Sequence, residues 1–346
     1  MRIALIVLII CLGTAISLRT KNNTKECSSN TTTNDITKSI LLSSDDLGKT
    51  WENIGNNFPK DAQINCAFAK GNEVFLGADD DIVYYCPDIN KGKWVREDIG
   101  ISFPSIGNIM PSNYRMIGLF DGKSGVYANV YGAGIYFRSS TTGKWKPIPT
   151  TLKSKIINSI AEMPDGSIYI SNPEGVYTTK DDGATWQLVY GDTWVNNLTT
   201  KDGVLLGSTS RGLIRSEDGI LWDVVLEDIK GINYDIRVSD DGFLAVRAPG
   251  WRPSGTENLQ RTFMSSDVGK TWKRLDQNLS PVRAIYNVDK SAKHLLSTEN
   301  SGIYRSLDGG NQWELVKNPT KDNEPWRYLF LTTEKTILAV KVFDGC

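Results

Sequence analysis

One eight-residue phrase recurs along the chain and limits what it can fold into. Ser306-Leu307-Asp308-Gly309-Gly310-Asn311-Gln312-Trp313 is one copy, and Ser44–Trp51, Thr179–Trp186 and Ser265–Trp272 are others. They share the template S/T-x-D-x-G-x-T-W, with Gln312 standing where the others have Thr. Shortened copies end at Trp94, Trp145 and Trp222, so the intervals between the seven tryptophans are 43, 51, 41, 36, 50 and 41 residues. A phrase repeated at such a period marks a repeat architecture before any residue is read for chemistry. Each interval has room for about four strands of ordinary length with their turns, the content of one propeller blade. The Asp side chain can hold nearby backbone N–H groups, the Gly permits a positive φ, and the Trp offers a large face for packing between sheets.

The β-rich runs between phrases fit that reading. In one interval Ile156–Glu162, Ser167–Ser171 and Gly175–Thr179 precede Trp186. In another, Ile106–Pro111, Met116–Phe120 and Tyr131–Arg138 precede Trp145 as expected first, second and third strands. Before the first phrase there is a single strand signal, Ser39–Leu42, whereas Arg327–Thr332 and Thr336–Phe343 follow the last. The two ends complete each other. The expectation is an all-β, seven-bladed β-propeller of four-stranded blades, with the N-terminal strands completing the C-terminal blade over 37–346. Such closure also removes exposed sheet edges.

With 39 basic and 40 acidic residues intermixed, net charge is -1, and no basic stripe suits a nucleic-acid backbone. Arg2 precedes an apolar run from Ile3 to Leu12, and small residues at Ala15 and Ser17 suit cleavage, so 1–17 reads as a secretory signal peptide. Residues 18–36 read as a flexible polar lead-in. The expected location is therefore extracellular, as a monomer with no membrane insertion once the signal is removed. Cys27, Cys66, Cys86 and Cys346 then remain in an oxidising compartment. A Cys27–Cys346 disulfide would lock the seam and contribute about 3–5 kcal/mol in a loop-closure model. Cys66 and Cys86 fall on strands with another between them, a separation of about 9–10 Å that argues against a bond. Sequons at Asn22, Asn30, Asn197 and Asn278 are candidate glycosylation sites.

The phrases resemble Asp boxes, also called BNR repeats, and the resemblance spans Ser39 to Phe343. The chain is similar to the Asp-box propellers of the photosystem II assembly factor, of xyloglucanase half-domains and, more distantly, of sortilin. That resemblance implies structural roles for Asp46, Asp181, Asp267 and Asp308, on turns far from the ligand face. It also allows residue-by-residue tests of catalysis. Sialidases with such boxes need an R-I-P motif and three carboxylate-binding arginines. The nearest strings, Tyr114-Arg115-Met116 and Trp251-Arg252-Pro253, are misplaced. Arg211, Arg247, Arg252, Arg283 and Arg327 read as ordinary surface charge. A glycosidase needs two carboxylates about 5–10 Å apart; candidates in expected second-to-third strand connections are Asp79, Asp80, Asp81, Asp121, Glu174 and Glu299. His294 is the only histidine and lies in an expected strand, which leaves little for a catalytic triad or a histidine metal site. No metal, nucleotide or other cofactor is expected.

Seven of the ten tryptophans belong to phrases; the others are Trp194, Trp251 and Trp326. All three fall in connections that emerge on the face opposite the phrases, and Pro249–Gln260 beside Trp251 is the longest insertion of its kind. Aromatic faces stack on sugars or on a partner's apolar side chains. Trp194, Trp251, Arg252 and Trp326 are therefore the candidate ligand contacts. The reading is a secreted, non-catalytic protein that binds a glycan or an extracellular protein. The alternative is a secreted glycoside hydrolase or lyase with paired carboxylates at the pore mouth. An assembly scaffold is a third possibility, against which the signal, sequons and cysteines count.

Overall fold

The computed structural model describes residues 39–55, 58–59, 62–78, 82–101, 116–154, 156–228, 233–240, 242–247, 262–275, 285–291, 294–299, 302–318, 326, 328–332 and 335–342. The expected signal and lead-in segments, Cys27 and Cys346, and the sequons at Asn22, Asn30 and Asn278 lie outside them. No described helix is long and apolar enough to cross a membrane.

The first strands are β1 (Ser39–Ser44) and β2 (Glu52–Asn53). Blade 1 comprises β3 (Ile64–Lys70), β4 (Glu73–Ala78), β5 (Ile82–Cys86) and β6 (Val95–Asp98). Blade 2 takes β7 (Met116–Gly122), β8 (Gly125–Val130), β9 (Gly134–Ser139) and β10 (Trp145–Ile148). In blade 3 the strands are β11 (Ser159–Glu162), β12 (Ile168–Asn172), β13 (Gly175–Thr179) and β14 (Gln187–Gly191). Blade 4 follows with β15 (Val195–Lys201), β16 (Val204–Thr209), β17 (Gly212–Ser216) and β18 (Asp223–Glu227). Blade 5 holds β19 (Tyr234–Ser239), β20 (Gly242–Arg247), β21 (Thr262–Ser265) and β22 (Lys273–Arg274). Blade 6 holds β23 (Ile285–Ser291), β24 (His294–Glu299), β25 (Gly302–Ser306) and β26 (Glu314–Lys317), before β27 (Tyr328–Leu331) and β28 (Ile337–Val342).

The protein is an all-β propeller, and the expected count of seven blades is corrected to six. Six blades are each built from four consecutive strands. The strands near the two ends instead form one composite four-stranded sheet, in the order β2-β1-β28-β27, which fills the gap between blade 6 and blade 1. Leu41 there faces Val340, and Ser43 faces Leu338. The sequence count is higher because it takes the sheet built from both chain ends as a seventh blade. The phrase at Ser44–Trp51 lies on the composite sheet, which no single stretch of chain builds. A second correction concerns blade 2. Met116–Gly122 is its first strand, and Gly125–Val130 is a second strand that the sequence reading missed.

Burial within each blade follows the distance from the ring's axis. The first strands meet one another around the centre. Second strands such as β8, β16 and β20 are buried at every position, and the outermost ones, such as β6 and β18, are largely exposed. A second strand has a neighbouring sheet on both faces, so it must be apolar throughout, as Val204-Leu205-Leu206 and Phe243-Leu244-Ala245-Val246 are. The core is accordingly a series of wedges. Tyr169 and Val176 of blade 3 pack on Val195, Leu205 and Ile214 of blade 4, and Leu41, Leu338 and Val340 of the closing sheet pack on Val74, Leu76 and Tyr84 of blade 1. Cys66 packs towards blade 2 and Cys86 towards the closing sheet, and neither forms a disulfide.

The repeated phrase is where one sheet grips the next. In the first copy Asp46 Oδ1 accepts hydrogen bonds from the Ser44 hydroxyl at 2.8 Å and from Thr50 N at 2.9 Å, and its Oδ2 accepts from the Thr50 hydroxyl at 2.7 Å. Ser44 Oγ in turn accepts from Gly48 N at 2.7 Å. Asp181 and Asp267 repeat the pattern. The tightened turn then docks on the preceding sheet. Trp51 Nε1 donates to Val316 O of blade 6 at 3.2 Å, and Trp186 Nε1 donates to Pro149 O beyond blade 2 at 3.0 Å. Gly183 (φ 92°) comes so close that a Cβ would lie 2.5 Å from Pro149 O. Arginines from the preceding blade complete the grip. Arg305 Nη1 donates to Leu47 O at 2.6 Å and Arg215 Nε to Val268 O at 2.8 Å. Both acceptors are non-glycine residues at positive φ, 60° and 55°, so the guanidiniums hold the strained corner of each turn.

Blades 1 and 2 use a different clasp. Arg138 makes two parallel 2.7 Å hydrogen bonds to Glu97, the Trp145 indole donates to the same carboxylate at 3.0 Å, and the guanidinium lies 4.4 Å from the Tyr85 ring centroid. Removing one partner of a largely buried pair strands the other charge, so Arg138→Ala should lower unfolding free energy by about 3–5 kcal/mol in urea titrations. The phrase carboxylates set the acid limit of the fold. Backbone and side-chain donors of Thr50, Thr185 and Thr271 hold Asp46, Asp181 and Asp267 at about 2, from an ordinary 3.8. Because the folded values are depressed, the unfolded chain takes up protons first. The stabilisation is complete above pH 4 and drains away as pH falls from about 4 to about 2. Thermal melting should show that slope, and Asp181→Ala should make it shallower while lowering the melting temperature at neutral pH.

Candidate binding face

The strand directions separate two ends of the ring. Turns joining third to fourth strands carry the phrases, and connections joining second to third strands, or one blade to the next, emerge at the opposite end. At the phrase end the phrase carboxylates and hydroxyls are spent internally, while Asn72 Oδ1, Trp222 Nε1, Trp272 Nε1 and Arg305 Nε are buried there without a partner among the described residues. Even the shortened phrase of blade 4 spends its carboxylate and hydroxyl in this way: Asp218 Oδ1 accepts from Ile220 N and Leu221 N at 2.8 Å each, and Gly219 N donates to Ser216 Oγ at 2.8 Å.

The opposite end leaves more of its buried polar atoms unpartnered. Ten buried side-chain polar atoms lack a hydrogen-bond partner among the described residues, and six of them sit at this end: Ser171 Oγ, Asn172 Nδ2, Trp194 Nε1, Asn233 Oδ1, Thr262 Oγ1 and Trp326 Nε1. Each such atom costs about 1–3 kcal/mol of lost hydration. Five of the six lie on blades 3 to 5 or the connections between them. Asn158 ties part of this arc together, its backbone N–H donating to Ser171 O and its side chain to Val195 O, both at 2.8 Å. The end of β12 and the start of β15 are thereby held within one residue's span, with Trp194 immediately before the latter. Further round, Tyr234 N donates to Ser208 Oγ at 2.9 Å, and the Tyr234 hydroxyl donates to Asp228. Asp228 N donates to Arg211 O at 3.1 Å, so the blade 4 connections are braced from below.

The expected site residues are distributed unevenly over this frame. Trp194 is half-buried on the expected face with its indole N–H enclosed. Trp326 is corrected: it is 1% exposed, packed with Ile303, Leu329, Ile337 and Ala339 between blade 6 and the closing sheet, so no ligand can reach it there. Trp251 and Arg252 lie outside the described residues, as do Asp79, Asp80, Asp81, Arg283 and Arg327. Asp121 is corrected too. It is on β7 at the turn to β8, at the phrase end, where it accepts a hydrogen bond from Lys70 at 2.7 Å. Glu174 is exposed in the expected connection of blade 3 and accepts from the Tyr177 hydroxyl at 2.6 Å, a bond that pushes the Tyr177 phenol up to about 12. Glu299 closes β24, its backbone opposite Ile285 and Gly302. Arg211 lies in the blade 4 connection, and Arg247 is buried at the end of β20. His294 begins β24. The sequon residue Asn197 is half-buried on the inner strand β15. No group of three or more His, Cys, Asp or Glu residues gathers among the described residues.

Sequence reasoning missed Ser171, Asn172, Asn233 and Thr262. One signal was available: Ser171-Asn172 ends an otherwise apolar second strand, at the point where apolar burial should continue. It also missed Arg237. Arg237 of β19 donates to Leu329 O of the closing sheet at 3.2 Å, with its guanidinium 5.7 Å from the Phe330 ring centroid, so it bridges non-neighbouring sheets near the axis. Asp235 on the same strand has an exposed side chain, yet the surrounding protein raises it above its ordinary range, with Arg237 opposing the shift.

No family model and no curated protein sequence matches the chain. Solved structures share its fold. A YCF48 bound to D1 peptide is 14% identical, with 89% of this chain and 97% of that one covered and a TM-score of 0.57. A virginiamycin B lyase from Staphylococcus aureus is 13% identical over 88% and 99%, with a TM-score of 0.58. The GH74 xyloglucanase from Xanthomonas campestris is 13% identical with a TM-score of 0.54, and 80% of this chain spans 46% of it. At these identities the likeness establishes a β-propeller and nothing finer.

Asn158→Ala should loosen the candidate face without disturbing the phrases. The expected result is a loss of about 1 kcal/mol in urea unfolding, with faster amide hydrogen exchange confined to the ends of β12 and β15.

Proposed function

We propose that this chain is a binding protein of the Asp-box propeller kind, which holds a protein segment on the face opposite the repeated turns and catalyses no reaction. A glycan is the other ligand considered for that face. The observation that carries the reading is an arc of unpartnered polar atoms over blades 3 to 5 at the end opposite the phrases. The phrase hydroxyls and carboxylates are satisfied internally, whereas Ser171, Asn172, Trp194, Asn233 and Thr262 leave donors and acceptors without partners over one arc. A peptide main chain offers both kinds of group in alternation, and Trp194 supplies the aromatic surface that anchors interfaces. That one neighbour of similar fold was solved bound to a peptide supports the same class of partner. The hydrolase alternative has less behind it, since Asp121 lies at the wrong end of the ring. Export belongs to the same proposal: residues 1–17 direct secretion and are removed, Cys27 and Cys346 join across the ring's seam, and the mature protein acts as a glycosylated extracellular monomer.

Tiled peptide and glycan arrays probed with purified protein test this reading. Trp194→Ala and Arg211→Ala should each weaken the recovered interaction about tenfold or more with melting temperature nearly unchanged, while Asp181→Ala lowers melting temperature and leaves binding intact. Binding that survives both face substitutions would remove this face from consideration.

A further inference from the structure

The three most exposed large apolar side chains among the described residues lie together on the rim of blade 4. Leu221 is 74% exposed, Ile220 65% and Val224 56%. Ile220 and Leu221 occupy phrase positions where the full-length copies carry Lys49-Thr50, Ala184-Thr185, Lys270-Thr271 and Asn311-Gln312. Nothing in the turn requires apolar residues there, because Asp218 holds only their backbone N–H groups. Trp222, which follows them, packs on Tyr190 of β14 with ring centroids 5.6 Å apart. The apolar turn therefore adjoins the outer strands of blades 3 and 4.

Those outer strands are edges, and most in this ring are guarded. β6 carries Arg96 and Asp98 as an ion pair, β10 carries Lys146 and Pro147, β22 is only Lys273-Arg274, β26 ends in Lys317, and β2 has two residues. Lysine, proline and shortness are the usual protections against strand addition. β14 and β18 have none of them. Of the two, only β18 is led in by exposed apolar residues, and it has an exposed acid at each end, Asp223 and Glu227. Neither acid forms an ion pair among the described residues, whereas nearby Glu217 is matched by Arg215 and Lys270.

We infer that the β18 rim is a second interaction surface, independent of the opposite face, which takes an extended strand of another protein whose apolar residues are flanked by Lys or Arg. Added backbone pairing would use the free edge of β18, Val224 and Leu221 would cover the apolar side chains, and the flanking cations would meet Asp223 and Glu227. Charge argues against a second copy of this chain as the occupant. Antiparallel pairing of two β18 strands about Val225 sets Asp223 opposite Glu227 twice, and like charges directly opposite one another are destabilising.

The test uses the full chain with fluorescein-labelled Lys-Val-Thr-Val-Thr-Val-Lys and its Glu-flanked counterpart, read by fluorescence polarisation at low and high salt. The Lys-flanked peptide should bind, weaken as salt rises, and lose roughly tenfold or more in affinity to the Val224→Lys and Leu221→Lys proteins. The Glu-flanked peptide should bind at least as poorly as those variants do, and Trp194→Ala should change nothing. Both substituted side chains are exposed, so unchanged melting temperatures will show that the variants fold. Equal binding of the two peptides, no binding of the Lys-flanked one, or loss on Trp194→Ala would overturn the proposal. So would sedimentation showing a dimer that Val224→Lys dissolves, which would assign the rim to a second copy.

Discussion

The ring depends on a carboxylate that gathers the donors of its own turn. In Asp46, Asp181 and Asp267 the two oxygens take backbone and hydroxyl hydrogens from the residues four further on. This closure makes a turn small enough to lie flat against another sheet. A radial sheet needs such a contact to hold its neighbour at the rim, because adjacent blades diverge outward. The carboxylate thus acts locally, and its consequence is the distance between sheets. The Trp indole and the arginine from the preceding blade then fasten a shape that is already made. Where the Asp is missing, as in the blade 2 copy, the Arg138–Glu97 pair with the Trp145 indole does the fastening instead.

Closure at the chain ends follows from the same geometry. A blade whose strands are consecutive can form as a local meander, with short loops to close. The composite sheet has no such advantage, since Leu41 and Val340 are separated by almost the whole chain. It is secured by wedges on both sides: Leu41, Leu338 and Val340 against blade 1, and Leu329, Ile337 and Ala339 against blade 6. Trp326 belongs to the second wedge, which explains why so large an aromatic is wholly enclosed. An indole at that junction fills a gap that no contiguous blade supplies.

Much of this was legible in the sequence, and what was not has identifiable causes. The phrases marked the turns because their function is local, so Ser, Asp, Gly and Trp appear at fixed spacing. Pairing between the ends followed from unmatched strands before Trp51 and after Trp313. The blade count did not follow, because the sequence reading gave the sheet built from both ends the same standing as the six contiguous ones. In blade 2, Tyr131 drew the expected third strand too early. The real strands, Gly125–Val130 and Gly134–Ser139, are separated by a turn in which Gly132 and Gly134 adopt positive φ. Of the candidate face, Trp194 stood out because aromatics outside the phrases are conspicuous, and Trp326, which is buried, stood out for the same reason. Sequence shows that a connection contains Trp, not whether the connection folds back on the core. Ser171 and Asn172 were invisible because their significance lies in lacking partners.

A turn that satisfies itself also leaves freedom where it has no demands. The phrase fixes its hydroxyl, its carboxylate, its glycine and its indole, but at the two positions after the glycine it uses mainly backbone N–H groups, helped in three copies by a Thr hydroxyl. Those positions lie on the outer rim and can change character without loosening the ring. In blade 4 the one-residue shortening moves the Asp218 bonds to the second and third residues on, so the Thr hydroxyl has no role there. That is the copy in which Ile220 and Leu221 face solvent. The structural requirement was relaxed at the same place where exposed apolar surface appeared. The rim of blade 4 is therefore free of the hydroxyl requirement that three full-length copies meet with Thr50, Thr185 and Thr271.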